Sequence, residues 1–194
     1  MKSLHYYIGA AAIGVVCLTA VPESAARDLV MLQTNDTHSQ IDPTDKGFGG
    51  VQRRKVFIDS VRAANPDVLL VDAGDAVQGT LFFTLYGGKV EMDVMNELGY
   101  DVQILGNHDF DNGVEAMAGN VARSKADWIS TNYLFEDPDV AALFTPYRVF
   151  EYDGKNIGVI GLNLDPEGMI AAGNAAGVKY LDAVEPGASF FSAT

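Results

Sequence analysis

Three short apolar runs, Leu29 to Gln33, Val68 to Val71 and Val102 to Leu105, proceed without polar alternation, and each stops abruptly at polar residues. Runs of this kind are the signature of strands buried on both faces, as in a parallel sheet covered by other layers. Between the first two lies Val51 to Ala64, where Phe57, Ile58, Val61 and Ala64 recur at helical spacing while Arg53, Arg54, Lys55 and Asp59 turn away. This is the pattern of an amphipathic helix. Between the second and third lies Val90 to Leu98, with Val90, Val94, Met95 and Leu98 on one stripe and Gly99 placed as a C-terminal cap. Strand, helix, strand, helix, strand predicts an α/β fold with a parallel layer under helices.

Further along, Val114 to Ala122 reads as a helix and Trp128 to Ser130 as a short strand. Tyr147 to Tyr152 and Ile157 to Leu162 read as a hairpin turned by Asp153-Gly154. The segment after Leu162 is Gly- and Ala-rich and carries no readable period. No repeat, low-complexity tract or long linker divides the chain, so one domain is expected.

The 194 residues carry 13 Lys+Arg against 26 Asp+Glu, a formal charge of -13. Such a surface repels polyanions, which argues against nucleic-acid polymers and anionic lipid as partners; a phosphate ligand would need a local cation. Residues 1–26 read as a leader, because Lys2 precedes an apolar run from Ile8 to Ala20 and then the small residues Ser24-Ala25-Ala26. The run is shorter than the roughly 20 residues of a bilayer span. Export to the periplasm or the extracellular space follows, with residues 27–194 as the mature domain. The single cysteine, Cys17, lies within the leader, and Val16 stands where a lipidation site expects a small residue. A lipid anchor is therefore not expected, and the mature chain has neither disulfides nor thiolate ligands.

Each buried run ends in metal-ligating residue types: Asn35-Asp36-Thr37-His38, Asp72-Ala73-Gly74-Asp75 and Gly106-Asn107-His108-Asp109. Taken singly, Asp36 suits a turn cap, Asp75 an Asx-turn beside Gly74, and Asn107-His108 an ordinary loop. Taken together they carry more weight. Strand ends of a parallel sheet converge on one crevice, and two of the three histidines, His38 and His108, fall in these clusters while His5 falls in the leader. Carboxylate and amide oxygens with imidazole suit Zn, Mn, Fe or Mg.

The strings Thr34-Asn35-Asp36-Thr37-His38-Ser39, Asp72-Ala73-Gly74-Asp75-Ala76-Val77-Gln78-Gly79-Thr80 and Gly106-Asn107-His108-Asp109-Phe110-Asp111 resemble the opening motifs of the calcineurin-like metallophosphoesterases, in particular the secreted 5'-nucleotidase branch. The resemblance runs from Leu29 to Leu162, and Asp109 stands where that branch usually has Glu. It implies the N-terminal portion of a four-layer α-β-β-α sandwich and a site for two divalent ions, Zn, Mn, Co or Mg. By the same resemblance, Asp36 and His38 bind one ion, Asp75 bridges both, and Asn107 binds the second. His108, oriented by Asp111, would lie beside the transferred phosphoryl group. The expected substrate is a small phosphate ester such as a nucleotide, hydrolysed by a metal-activated water.

The family completes this site with later histidines, and none follows His108 here. The expectation is therefore an N-terminal part of the domain, truncated before the sandwich is finished and weakly active on its own. The alternative is a non-catalytic fragment or binding subunit that retains half of the site and works with a partner chain supplying the rest. Gly79, Thr80, Phe82 and Phe83 follow the second motif; the aromatic pair reads as core rather than as a phosphate cradle.

Overall fold

The computed structural model describes residues 15–16, 28–171 and 173–182. The rest of the leader, including Cys17 and the Ala25-Ala26 site, and the closing Gly187 to Thr194 lie outside the described residues. Val15–Val16 (β1) pairs antiparallel with a later strand, placing Val15 opposite Val159.

The three apolar runs become β2 (Val30–Thr34), β3 (Val68–Asp72) and β4 (Val102–Gln103), joined by β5 (Asp127–Trp128) in one parallel sheet of order β2-β3-β4-β5. The registers Thr34↔Asp72, Asp72↔Gln103 and Gln103↔Trp128 put the four strand ends in one row. The loops that follow β2, β3 and β4 thus leave the sheet at the same level. In β3 the alternation of faces explains the unbroken apolar run. Leu70 packs with the helices, in a cluster including Ile58, Met92, Met95, Leu98, Phe110 and Met117. Leu69 and Val71 face the other way, with Val102, Ile104, Ile129 and Val159.

The helical layer comprises α1 (Val51–Ala64), α2 (Leu81–Tyr86), α3 (Lys89–Leu98), α4 (Gly113–Arg123) and the short α5 (Pro138–Ala141). The opposite face of the sheet is covered by β7 (Tyr147–Tyr152) and β8 (Lys155–Ile160), an antiparallel hairpin whose partly buried Phe150 and Tyr152 join the second cluster. Its turn residues Asp153 and Gly154 have φ of 49° and 71°, the left-handed pair that this two-residue turn requires. Helices, parallel sheet and antiparallel sheet stack as α-β-β, three layers of the expected four-layer sandwich among the described residues.

The packing corrects the reading of α1. Ile58 is buried and Val61 half-buried, but Phe57 is 60% exposed and Ala64 is exposed as well, while Arg54 turns partly inward. The buried face runs through Val51, Arg54, Ile58 and Val61, spaced by three or four residues, and Phe57 lies about 100° around the helix from Ile58. Arg62, near the helix end, reaches α3 instead: its guanidinium donates to the carbonyls of Leu98 and Gly99 at 2.7 and 2.6 Å, satisfying the C-terminal carbonyls of that helix. Gly99 itself has φ of 69°, as a C-terminal cap demands.

Elements not anticipated by the sequence pattern include α2, α5 and the strands β6 (Tyr133–Phe135) and β9 (Val178–Tyr180), which are antiparallel to each other. The strand β9 brings the unpatterned segment after Leu162 back beside the row of strand ends. Of the aromatic pair expected in the core, Phe83 packs partly buried against the helix-side cluster, while Phe82 is half-buried outside it.

Candidate metal centre

The loop after β2 is held in an uncommon conformation. Asp36, His38 and Ser39 have φ of 51°, 44° and 51°. Non-glycine residues in this left-handed region cost of order 1–3 kcal/mol each and persist only where the surroundings enforce them. The enforcement is a ladder of backbone bonds to the loop after β3: Asp36 N–H to Gly74 O, His38 N–H to Asp75 O and Ser39 N–H to Ala76 O, each 3.0 Å. The two loops therefore continue the pairing of their strands, with the carboxylate of Asp36 and the imidazole of His38 carried on a fixed frame.

Asp75, itself at φ 53°, is buried. The loops after β3 and β4 touch backbone to backbone, which only glycines permit. A β-carbon on Gly74 would lie 2.6 Å from the nitrogen of Gly106, and one on Gly106 would collide with the carboxylate of Asp75. Through this close approach Asp75 Oδ1 accepts the backbone N–H of His108 at 2.9 Å.

The third loop closes on itself. Asp109 Oδ2 accepts the N–H of Gly106 at 2.7 Å, and the short helical turn His108–Phe110 buries Phe110 against Tyr133, ring centroids 6.0 Å apart. Asp109 thus holds the turn. Burial pushes its carboxyl up to about 7, opposed by the Gly106 N–H and reinforced by the neighbouring charge of Asp75. His108 Nδ1 lies 3.0 Å from Asp111 Oδ2, and the carbonyl of Asp111 accepts the side-chain amide of Asn174 at 2.8 Å.

The three loops bring a ligand atom of His38, of Asp75 and of His108 within 4.8 Å of one another. The two imidazoles meet edge-on with centroids 5.2 Å apart, and His38 Nε2 is 3.7 Å from Asp36 Oδ1. Asp36, Asp75 and Asn107 line one cleft of about 520 Å³, which extends past Asn163 and Asp165 to Tyr180. Asp36, Asp75 and Asn107 thus line the cleft, His38 and His108 gather at Asp75, and Asp111 lies behind His108. Two imidazoles, two carboxylates and an amide are a donor set suited to a divalent cation of hard or borderline character.

Asp72 differs. Although it stands in the second motif, it is buried at the end of β3, accepting the Thr34 hydroxyl at 2.5 Å and the Gly74 N–H at 3.1 Å. Burial pushes its carboxyl up to about 7, partly offset by these two donors. It braces the loop instead of facing the cleft.

Residues that pattern alone does not reveal complete the surroundings. Asn163 donates to Leu105 O at 2.5 Å, and its backbone N–H donates to Asn132 Oδ1 at 2.8 Å. Asn132 in turn donates to Asn163 O at 2.8 Å. This asparagine pair sews the segment after β8 to the end of β4. Gln78, at φ 77°, places Oε1 3.2 Å from His38 Nδ1. No sequence period marks either pair, since both arise from contacts between distant loops.

A family model described as calcineurin-like phosphoesterase matches residues 29–175. The 5'-nucleotidase of Homo sapiens is 36% identical over 154 residues, covering 72% of this chain and 27% of that protein. Among solved structures, a 5'-nucleotidase precursor from Thermus thermophilus superposes with a TM-score of 0.75 at 33% identity, over 85% of this chain and 34% of that one. Haemophilus influenzae NAD nucleotidase superposes with a TM-score of 0.77 at 29% identity, over 85% of this chain and 31% of that one. The chain spans about a third or less of the length of each of these relatives.

Proposed function

The chain belongs to the calcineurin-like phosphoesterase family, and on that premise we propose that it is the metal-site-bearing part of an exported 5'-nucleotidase that hydrolyses nucleoside monophosphates. The observation that carries this reading is the convergence of His38, Asp75 and His108 at the ends of consecutive parallel strands, with Asp36 3.7 Å from His38.

In this reading Asp36 and His38 would hold one divalent ion, Asn107 would hold the second, its neutral amide adding an oxygen without further charge, and Asp75 would be shared between them. When bound, such ions would supply positive charge for activating water and neutralising phosphoryl oxygens. The chain's own residues do the rest. Asp75 Oδ1 keeps the His108 backbone in place. Asp111, 3.0 Å from His108 Nδ1, accepts the Nδ1–H and holds the ring, leaving Nε2 as the nitrogen that would meet the phosphoryl or departing ester oxygen. In this reading residues 1–26 serve as the leader that delivers the domain outside the cytoplasm.

The test is phosphate release from AMP and from an aryl phosphate with Mn²⁺, Zn²⁺, Co²⁺ or Mg²⁺ supplied. Slow, metal-dependent release that disappears in Asp75→Asn is expected. The second reading, a binding subunit completed by another chain, is favoured by the three-residue size of the cluster among the described residues. Stoichiometric metal binding with no release from either ester would establish that reading instead.

A further inference from the structure

We propose that Gln78 fixes the tautomer of His38 and thereby decides which ring nitrogen is open to a cation, an inference that rests on His38 being a ligand. Gln78 Oε1 lies 3.2 Å from His38 Nδ1. A carbonyl oxygen only accepts, so this contact is a hydrogen bond when the imidazole carries its proton on Nδ1. The lone pair then sits on Nε2, the nitrogen that faces Asp36 Oδ1 at 3.7 Å.

That arrangement runs against the local electrostatics. A carboxylate beside Nε2 draws a proton there, and Nε2–H would close the nitrogen to metal. With the proton on Nδ1, two acceptors face each other across 3.7 Å, a gap suited to a cation. Gln78 supplies the opposing pull, at a distance within hydrogen-bond range where the Asp36 contact is outside it.

The backbone is built to deliver this side chain. Gln78 has φ of 77° and Gly79 of 103°, and a β-carbon on Gly79 would stand 3.3 Å from the His38 carbonyl oxygen. The turn therefore lies directly against His38. Its far end is tied down by Thr80, whose hydroxyl donates to Ser39 O at 3.1 Å. A left-handed glutamine is strained, and the pairing of the two loops sustains it. The rival arrangement is a turned amide, with Gln78 Nε2–H donating to a bare Nδ1 and the imidazole proton on Nε2.

Long-range ¹H–¹⁵N NMR on the metal-free full chain at pH 8, where an ordinary imidazole is neutral, separates the two. With three histidines in the chain, His38 is assigned by the signals lost in His38→Gln. The expected result is a protonated Nδ1 and a bare Nε2. In Gln78→Met, which keeps the β-carbon and its backbone strain but replaces the carbonyl oxygen by a weakly accepting thioether, the proton should move to Nε2, and Mn²⁺ affinity by calorimetry should fall about 10- to 100-fold. Gln78→Glu retains an acceptor and should keep the wild-type pattern. A protonated Nε2 in the wild type, a reading that needs no variant to fold, overturns the proposal; so does an unchanged pattern in Gln78→Met. Tautomers behaving as expected in a chain that binds no Mn²⁺ or Zn²⁺ would uphold Gln78's hold on the ring and refute His38 as a ligand.

Discussion

Asp75 and His108, 33 residues apart, are joined by a 2.9 Å bond from the backbone N–H of one to the carboxylate of the other. One oxygen of Asp75 is thereby committed to holding the third loop, and in the proposed reading the same carboxylate would couple loop position to cation binding. The site is accordingly assembled by side chains that serve the fold and the chemistry together.

Asp75→Asn separates these two tasks, because an amide oxygen can still accept the His108 N–H while the negative charge is gone. Metal content by elemental analysis should fall further in Asp75→Asn than in Asn107→Ala, with unfolding temperature changed little. Equal metal retention in both variants would remove the bridging assignment of Asp75.

His108 belongs to the donor cluster by distance and to a His–Asp pair by its bond to Asp111. As a proton donor, its replacement in His108→Ala should lower turnover about 100- to 10,000-fold while bound metal is retained. Parallel loss of metal and turnover would make it a ligand.

The legible part of the chain is the part where local pattern and tertiary burial agree. The bounds of α1, Val51–Ala64, follow from helical spacing, yet the face it buries does not, because Phe57 and Ile58 are adjacent and packing chooses between them. The three loops are legible because their polar residues follow apolar runs at once. Three-residue β6 and β9 are too short to show a period, and their pairing joins segments more than 40 residues apart. Gln78 is legible only as a letter in a motif; its bond to His38 depends on a left-handed backbone that no residue type announces.

The raised carboxyls of Asp72 and Asp109 predict an inverted pH profile for the metal-free chain. Both are pushed by burial from 3.8 to about 7, so between these values the folded state keeps protons that the unfolded state has released. Stability is then fully present below about pH 4 and falls as pH rises towards 7, each group contributing a slope of up to about 1.4 kcal/mol per pH unit. Thermal unfolding between pH 4 and 8 measures this. Asp72→Asn, which cannot ionise, should flatten the profile; an identical slope in the variant would mean that Asp72 titrates as an ordinary exposed carboxylate.

Glu91 offers the last test, and it concerns stability alone. It sits in the first turn of α3, 2% exposed, and neither carboxylate oxygen meets a hydrogen-bond partner among the described residues. It borders a small cavity shared with Ser39, whose hydroxyl is also buried and unpartnered, and with Arg54. A buried carboxylate gains from the helix N-terminus and from a nearby guanidinium, each an attraction of limited size, but loses its hydration outright. Replacing even a whole buried ion pair by apolar side chains of similar volume is often neutral or stabilising by about 1–4 kcal/mol, and Glu91 has no hydrogen-bond partner among the described residues for its loss to strand. Glu91→Met should therefore raise the urea midpoint with an unchanged m-value. A drop in the midpoint would show that the attraction of Arg54 and the helix end outweighs the lost hydration, and would make Glu91 a brace beneath the loop that carries His38.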